Sequence, residues 1–141
     1  MLRLAAIFTI TILIFASYDS AFALGGTQKA EIKNPRLLNS FGESVSQNVN
    51  TGQQVQISAD VQNKQDISQP FVYIVQITDN RDVIYKITWF SASLNPQQSF
   101  APAISWTPVW PGTYTAHIYV WDSIKDANAI SQQNQIKITV S

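Results

Sequence analysis

The feature that most constrains this chain is a two-residue alternation that returns in segment after segment. Val55, Ile57, Ala59 and Val61 alternate with Gln54, Gln56, Ser58 and Asp60. Successive side chains on a strand point to opposite faces, so this pattern describes a strand with one buried and one polar face. Tyr114, Ala116, Ile118 and Val120 share one parity, and Thr115, His117, Tyr119 and Trp121 share the other. Ile136, Ile138 and Val140 repeat the pattern at the C-terminal end. Residues 71–78 are apolar on both parities over their first part, as suits a central strand. Residues 83–91 form its hairpin partner across a turn at residues 79–82, with Tyr85 and Trp89 expected in the core. Phe100, Pro102, Ile104 and Trp106 share a parity in a strand whose proline places it at an edge, because proline cannot donate to the ladder. Trp106 and Tyr114 are also expected in the core.

Helical periodicity is weak throughout, and polar turn residues separate the strands. A short first strand is expected at residues 36–39, after Pro35, and residues 42–50 read as a loop ending in the turn signal Asn50-Thr51-Gly52. Residues 122–131 read as a longer loop with room for a helical turn. The total is about seven strands, and two antiparallel sheets packed face to face bury one face of each strand economically. The expectation is therefore an all-β, immunoglobulin-like antiparallel sandwich over residues 35–141, preceded by a flexible segment at residues 24–34. A barrel is the main rival.

The first 23 residues have a different pattern. Arg3 is the only charge before Asp19, residues 4–16 are apolar apart from two threonines, and Ala21-Phe22-Ala23 follows. A basic start, an apolar core and an A-x-A end describe a secretory signal cleaved near Ala23. A retained membrane helix would need roughly 20 apolar residues. Extending the run that far would bury Asp19, at about 2.5–3.5 kcal/mol. The expected location is extracellular or at the cell surface, with membrane attachment only if this segment stays uncleaved.

The run Trp106-Thr107-Pro108, Pro111-Gly112-Thr113-Tyr114 and Ile118-Tyr119-Val120-Trp121-Asp122 resembles the end of an immunoglobulin-like module of the fibronectin type III and CARDB kind, as in archaeal and bacterial surface proteins. Gly112-Thr113-Tyr114 matches the G-x-Y element that starts the penultimate strand of such modules. The alternating strand that ends at Asn63 matches their early strand and its following asparagine. The resemblance implies a tyrosine corner at Tyr114, with the hydroxyl bonded back to nearby backbone. It also implies an extracellular setting, with no fixed ligand and no shared active site.

Composition narrows the chemistry. Charged residues make up 13% of the chain and the net charge is +0. A nucleic-acid partner, whose phosphates call for a basic face, is not expected. There is one histidine and no cysteine, which excludes a histidine-rich metal site within one chain, and blue-copper ligation as well. Asp79 with Asp82, and Asp122 with Asp126, offer too few oxygens for calcium and read as turn residues. No nucleophile-elbow sequence accompanies His117, so an enzyme is not expected, nor is a cofactor.

Aromatic placement carries the functional expectation. In a sandwich the penultimate strand pairs with the central one, so His117, Tyr119 and Trp121 should neighbour Val72 and Ile74 on an outer sheet face. Phe90 falls on the same outward parity, opposite to Trp89. An apolar outer face marks an interaction surface unless the loop at residues 122–131 or the N-terminal segment covers it. Trp110, between two prolines in a turn, is a second exposed candidate. The leading reading is a non-catalytic interaction module with a protein partner at the cell envelope. The alternative is a carbohydrate-binding module that stacks polysaccharide on Trp110, Tyr119 and Trp121.

Overall fold

The computed structural model describes residues 24–141, and the expected signal segment at residues 1–23 lies outside the described residues. The strands form two sheets. The first contains β1 (Ala30–Leu38), β2 (Ser44–Val45), β4 (Val55–Asn63), β7 (Ser99–Phe100) and β8 (Ala103–Trp106). Its order is β2-β1-β4, with β7 and β8 both paired to the far side of β4. The second contains β3 (Asn48–Val49), β5 (Gln69–Asp79), β6 (Ile84–Leu94), β9 (Gly112–Trp121) and β10 (Asn134–Val140). Its order is β3-β10-β9-β5-β6, antiparallel except for the short parallel pair β3 and β10. Seven strands have four or more residues, and the other three have only two.

The inward parities of both sheets meet in one core. Leu37, Ile57, Val61 and Trp106 come from the first sheet, and Phe71, Tyr73, Val75, Ile118 and Ile138 from the second. Each large aliphatic side chain buried this way contributes about 1.5–3 kcal/mol. That driving force makes a disulfide-free sandwich of this size feasible. Trp106 and Tyr114 are in the core as expected, edge to face with ring centroids 5.3 Å apart. Gly112 opens β9 at φ +151°, a conformation other residues rarely adopt. Two residues later the Tyr114 hydroxyl donates to the Trp110 carbonyl at 3.0 Å, which makes the expected tyrosine corner. Asn63, fully buried at the end of β4, donates to the Ile67 and Asn95 carbonyls at 2.7 and 3.0 Å and ties two loops to the core.

Three expectations need correction. The first strand starts at Ala30, so the segment expected to be flexible at residues 24–34 ends in ordered sheet, after a 3-10 turn over Gly26–Gln28. Asn34-Pro35 reads as a stop, but the strand passes through it. Asn34 takes φ +49°, a register shift between Lys33 and Arg36 absorbs the distortion, and Asp60 on β4 holds both Asn34 and Arg36 at 2.8 and 2.9 Å. Second, residues 42–50 are not all loop. They include β2 and β3, which carry the chain from one sheet to the other. Third, the parity of β6 is reversed. Trp89, expected in the core, is 52% exposed, while Phe90 packs inward against Phe71 and Tyr73. Tyr85, skipped at a register shift, is 49% exposed but packs edge to face on the core residue Tyr114 at 5.2 Å. Trp89 pairs with Ile74 and therefore shares its outer face. β6 is an edge strand, so its apolar parity was free to face outward. The proline-broken edge is as expected, with Pro102 separating β7 from β8.

Two tyrosine hydroxyls give opposite predictions. That of Tyr73 is buried without a hydrogen-bond partner, and desolvation pushes its pKa far up. Leaving a buried donor unpaired costs about 1–3 kcal/mol, so Tyr73→Phe should equal wild type or exceed it by about 1 kcal/mol in urea denaturation. Tyr114→Phe removes a made bond and should cost about 1 kcal/mol in the same measurement.

Candidate functional site

The register of the second sheet assembles the site. Val72 pairs with Trp121, Ile74 with Tyr119 and Gln76 with His117. From the other side Ile74 pairs with Trp89 and Gln76 with Ile87. Five of the six expected site residues, His117, Tyr119, Trp121, Val72 and Ile74, therefore share one outer face. Trp110 does not join them. It is 63% exposed at the end of the sandwich, in a groove with Tyr85, Trp106 and Val109.

The rings form a layer over β5. His117 stacks on Tyr119 at a centroid distance of 6.4 Å, and Tyr119 lies 6.4 Å from Trp121 at an angle of 54°. His117 Nε2 is 3.3 Å from the Thr78 hydroxyl. Beneath the layer Val72 and Ile74 are only 2% and 6% exposed, although they point away from the core. The rings stay partly open, and between them lies a cavity of about 430 Å³. Ile74, Gln76, Tyr119 and Trp121 line it on one side, and Ile87 and Trp89 on the other. Ile87 and Trp89 were missed because β6 was read with the opposite parity.

The loop at residues 122–131 decides whether this face is open. Its Ala129 pairs with Trp121, which stays partly exposed, and its Ile124, 47% exposed, lines the cavity beside Tyr119 and Trp121. Asp122 holds the loop. It accepts from the backbone N–H groups of Ser123 and Asn128 at 2.6 and 3.1 Å, and from the Asn128 side chain at 2.8 Å. Asp79 holds the β5–β6 turn similarly, accepting from the backbone N–H groups of Arg81 and Val83 and from the Arg81 guanidinium. Both carboxylates serve turn geometry. Among the described residues no three or more histidine, cysteine or acidic side chains cluster as metal ligands.

The family model described as S-layer A-like matches residues 9–126. The chain belongs to the S-layer A-like family. That membership points to a cell-surface protein. No curated protein sequence matches the chain. Among solved structures, the C-terminal domain of Wzt superposes with a TM-score of 0.68 at 14% identity, covering 83% of this chain and 76% of that one. The CARDB domain of a Pyrococcus furiosus protein, in complex with di-metal ions, has a TM-score of 0.51 at 21% identity, covering 79% and 90%. A cycloisomaltooligosaccharide glucanotransferase from Paenibacillus sp. has 0.59 at 19%, covering 79% of this S-layer A-like chain but 14% of its own. At these identities the likenesses describe the fold alone, an immunoglobulin-like sandwich.

The rim loop should be acid-sensitive. The Asn128 side chain, with the backbone N–H groups of Asn128 and Ser123, outweighs partial burial and holds the Asp122 carboxyl below its usual range. A pKa lowered on folding stabilises above the unfolded value, about 3.9, and the benefit is lost as pH falls through the folded value. Protection of the amides of residues 122–131, relative to their intrinsic exchange rates, should therefore fall below about pH 4. In Asp122→Ala it should already be low at neutral pH.

Proposed function

We propose that this S-layer A-like chain is an exported, non-catalytic surface module that binds a protein partner through the outer face of its second sheet. The observation that carries the reading is the open aromatic cavity over β5. A layer that only shielded Val72 and Ile74 would have no need of further exposed apolar groups. Here Ile87, Trp89 and Ile124 surround the cavity, each about half exposed. Large aromatics around a desolvated pocket are the groups that dominate protein interfaces. The Tyr119 hydroxyl, Gln76 and the indole N–H groups are the polar side-chain atoms of an otherwise apolar lining, which favours an apolar protein surface over sugar hydroxyls. The separation of Trp110 from Tyr119 and Trp121 also weakens the polysaccharide reading. A non-catalytic role is supported by the surroundings of His117, whose hydrogen-bonding, strand-pairing and stacking partners are Thr78, Gln76, Gln135 and Tyr119.

Trp121→Ala and Trp89→Ala should each lose a protein recovered from the cell envelope with the wild-type chain, while a circular-dichroism melt stays cooperative. Wild-type recovery by both variants would overturn the reading. Binding of the wild type to envelope polysaccharide alone would favour the carbohydrate alternative.

A further inference from the structure

The four sheet edges are not alike. In the first sheet one edge is the two-residue β2 and the other is split by Pro102 into β7 and β8. In the second sheet one edge is the two-residue β3. Short strands and prolines are common ways of preventing a sheet from pairing with another chain. The fourth edge, β6, has neither. It runs eleven residues without proline and carries one charge, Lys86, whose ammonium is 3.3 Å from the Ser105 carbonyl. Its only irregularity is the register shift that leaves Tyr85 without a partner between Lys86 and Ile84.

Backbone hydrogen bonds show which groups this edge presents. The Asp79 N–H donates to the Val83 carbonyl, and the Asp82 N–H donates to the Asp79 carbonyl, so the Asp79 peptide groups face the β6 side. Peptide groups alternate along a strand, so those of Ile77, Val75 and Tyr73 also face β6. Their partners Lys86, Thr88 and Phe90 face back toward β5. The opposite side of β5 agrees. The Ile130 N–H donates to the Val120 carbonyl, which turns Val120 away from β5 and its neighbours Tyr119 and Trp121 toward it. The N–H and C=O groups of Ile87, Trp89 and Ser91 therefore point out of the sheet. Two of these three residues also present half-exposed apolar side chains on the outer face.

We infer that β6 is a strand-pairing edge and that its partner is β6 of a second copy of this chain, antiparallel about a two-fold axis at Thr88. A second strand satisfies the whole row of alternating outward donors and acceptors at once. Symmetric antiparallel pairing of two outward-facing rows requires odd-numbered residues to oppose odd-numbered residues, which keeps the two outer faces on one side. An axis at Thr88 places Ile87 opposite Trp89 of the second copy, twice, and sets Lys86 opposite Phe90 rather than against another lysine. The net charge of +0 leaves no overall repulsion between copies. The result is one continuous ten-stranded sheet with the two aromatic cavities on the same face. This inference goes beyond the proposed outer-face role, because it stands on the backbone edge and does not require the cavity to hold a partner.

The chain has no cysteine, so single cysteines report proximity without interference. Thr88 would meet its copy as a non-hydrogen-bonded pair with Cα atoms about 4.5 Å apart, inside the range a disulfide spans. In the full chain expressed for export, Thr88→Cys should form a covalent dimer under mild oxidation, and Ser46→Cys, on an exposed loop, should not. Wild type should sediment as a dimer whose population rises with concentration. Trp89→Pro removes an N–H that points out of the sheet and should raise the dimer dissociation constant about tenfold or more while the melt stays cooperative. Ile87→Lys, which keeps the backbone intact, should weaken the dimer in the same direction. Trp121→Ala should leave the cross-link unchanged, which separates this surface from the cavity. A wild type that stays monomeric across the concentration range, or cross-linking of Thr88→Cys no faster than that of Ser46→Cys, would overturn the inference.

Discussion

β5 is apolar on both faces, and the rest of the molecule is arranged around that fact. Its inward residues Phe71, Tyr73, Val75 and Ile77 close the core against the first sheet. Its outward residues Val72 and Ile74 cannot be left in water without forfeiting about 1.5–3 kcal/mol each. β9 and β6 flank β5 and supply Trp121, Tyr119 and Trp89 as cover. The cover is made of rings whose far sides stay exposed, so shielding the strand creates a new apolar surface at the periphery. The cavity follows from burying a doubly apolar strand in a sheet that has, among the described residues, no second layer on its outer side.

The loops then determine how open that surface is. Asp122 fastens the start of the loop at residues 122–131 through three hydrogen bonds, and so keeps Ile124 in the cavity lining beside Tyr119 and Trp121. At the opposite end of β9, the Tyr114 hydroxyl and Gly112 fix where the strand begins, which sets the register that pairs Tyr119 with Ile74. A change of one residue at this corner would turn every side chain of β9 to the other face. Local turn chemistry at both ends of β9 thus controls a surface to which neither turn belongs.

The asymmetry of the edges links fold to assembly. Three edges end in two-residue strands or a proline break, while β6 runs eleven residues and is nearly uncharged. It supplies Ile87 and Trp89 to the cavity lining, so the outer face and the free edge meet in the same strand. That junction concentrates the half-exposed apolar side chains Ile87 and Trp89 on one side of the sandwich.

Much of this was legible from residue order. The alternation in residues 54–61 and 113–121 specified strands and inward faces, because side-chain direction repeats every two residues whatever the fold. The double apolar parity of residues 71–78 specified an interior strand, and Gly112-Thr113-Tyr114 specified the corner. From these the adjacency of His117, Tyr119 and Trp121 to Val72 and Ile74 could be deduced. β6 could not be read the same way. Its apolar parity matched a core pattern, but an edge strand can satisfy that pattern from either face, and only its pairing with Ile74 shows which. Strand β1 crossing Asn34-Pro35 was equally hidden, because the side chains that support it come from Asp60 on another strand. Periodicity is local and belongs to the sequence. Register at an edge, and the openness of a surface, depend on distant partners and belong to the tertiary structure.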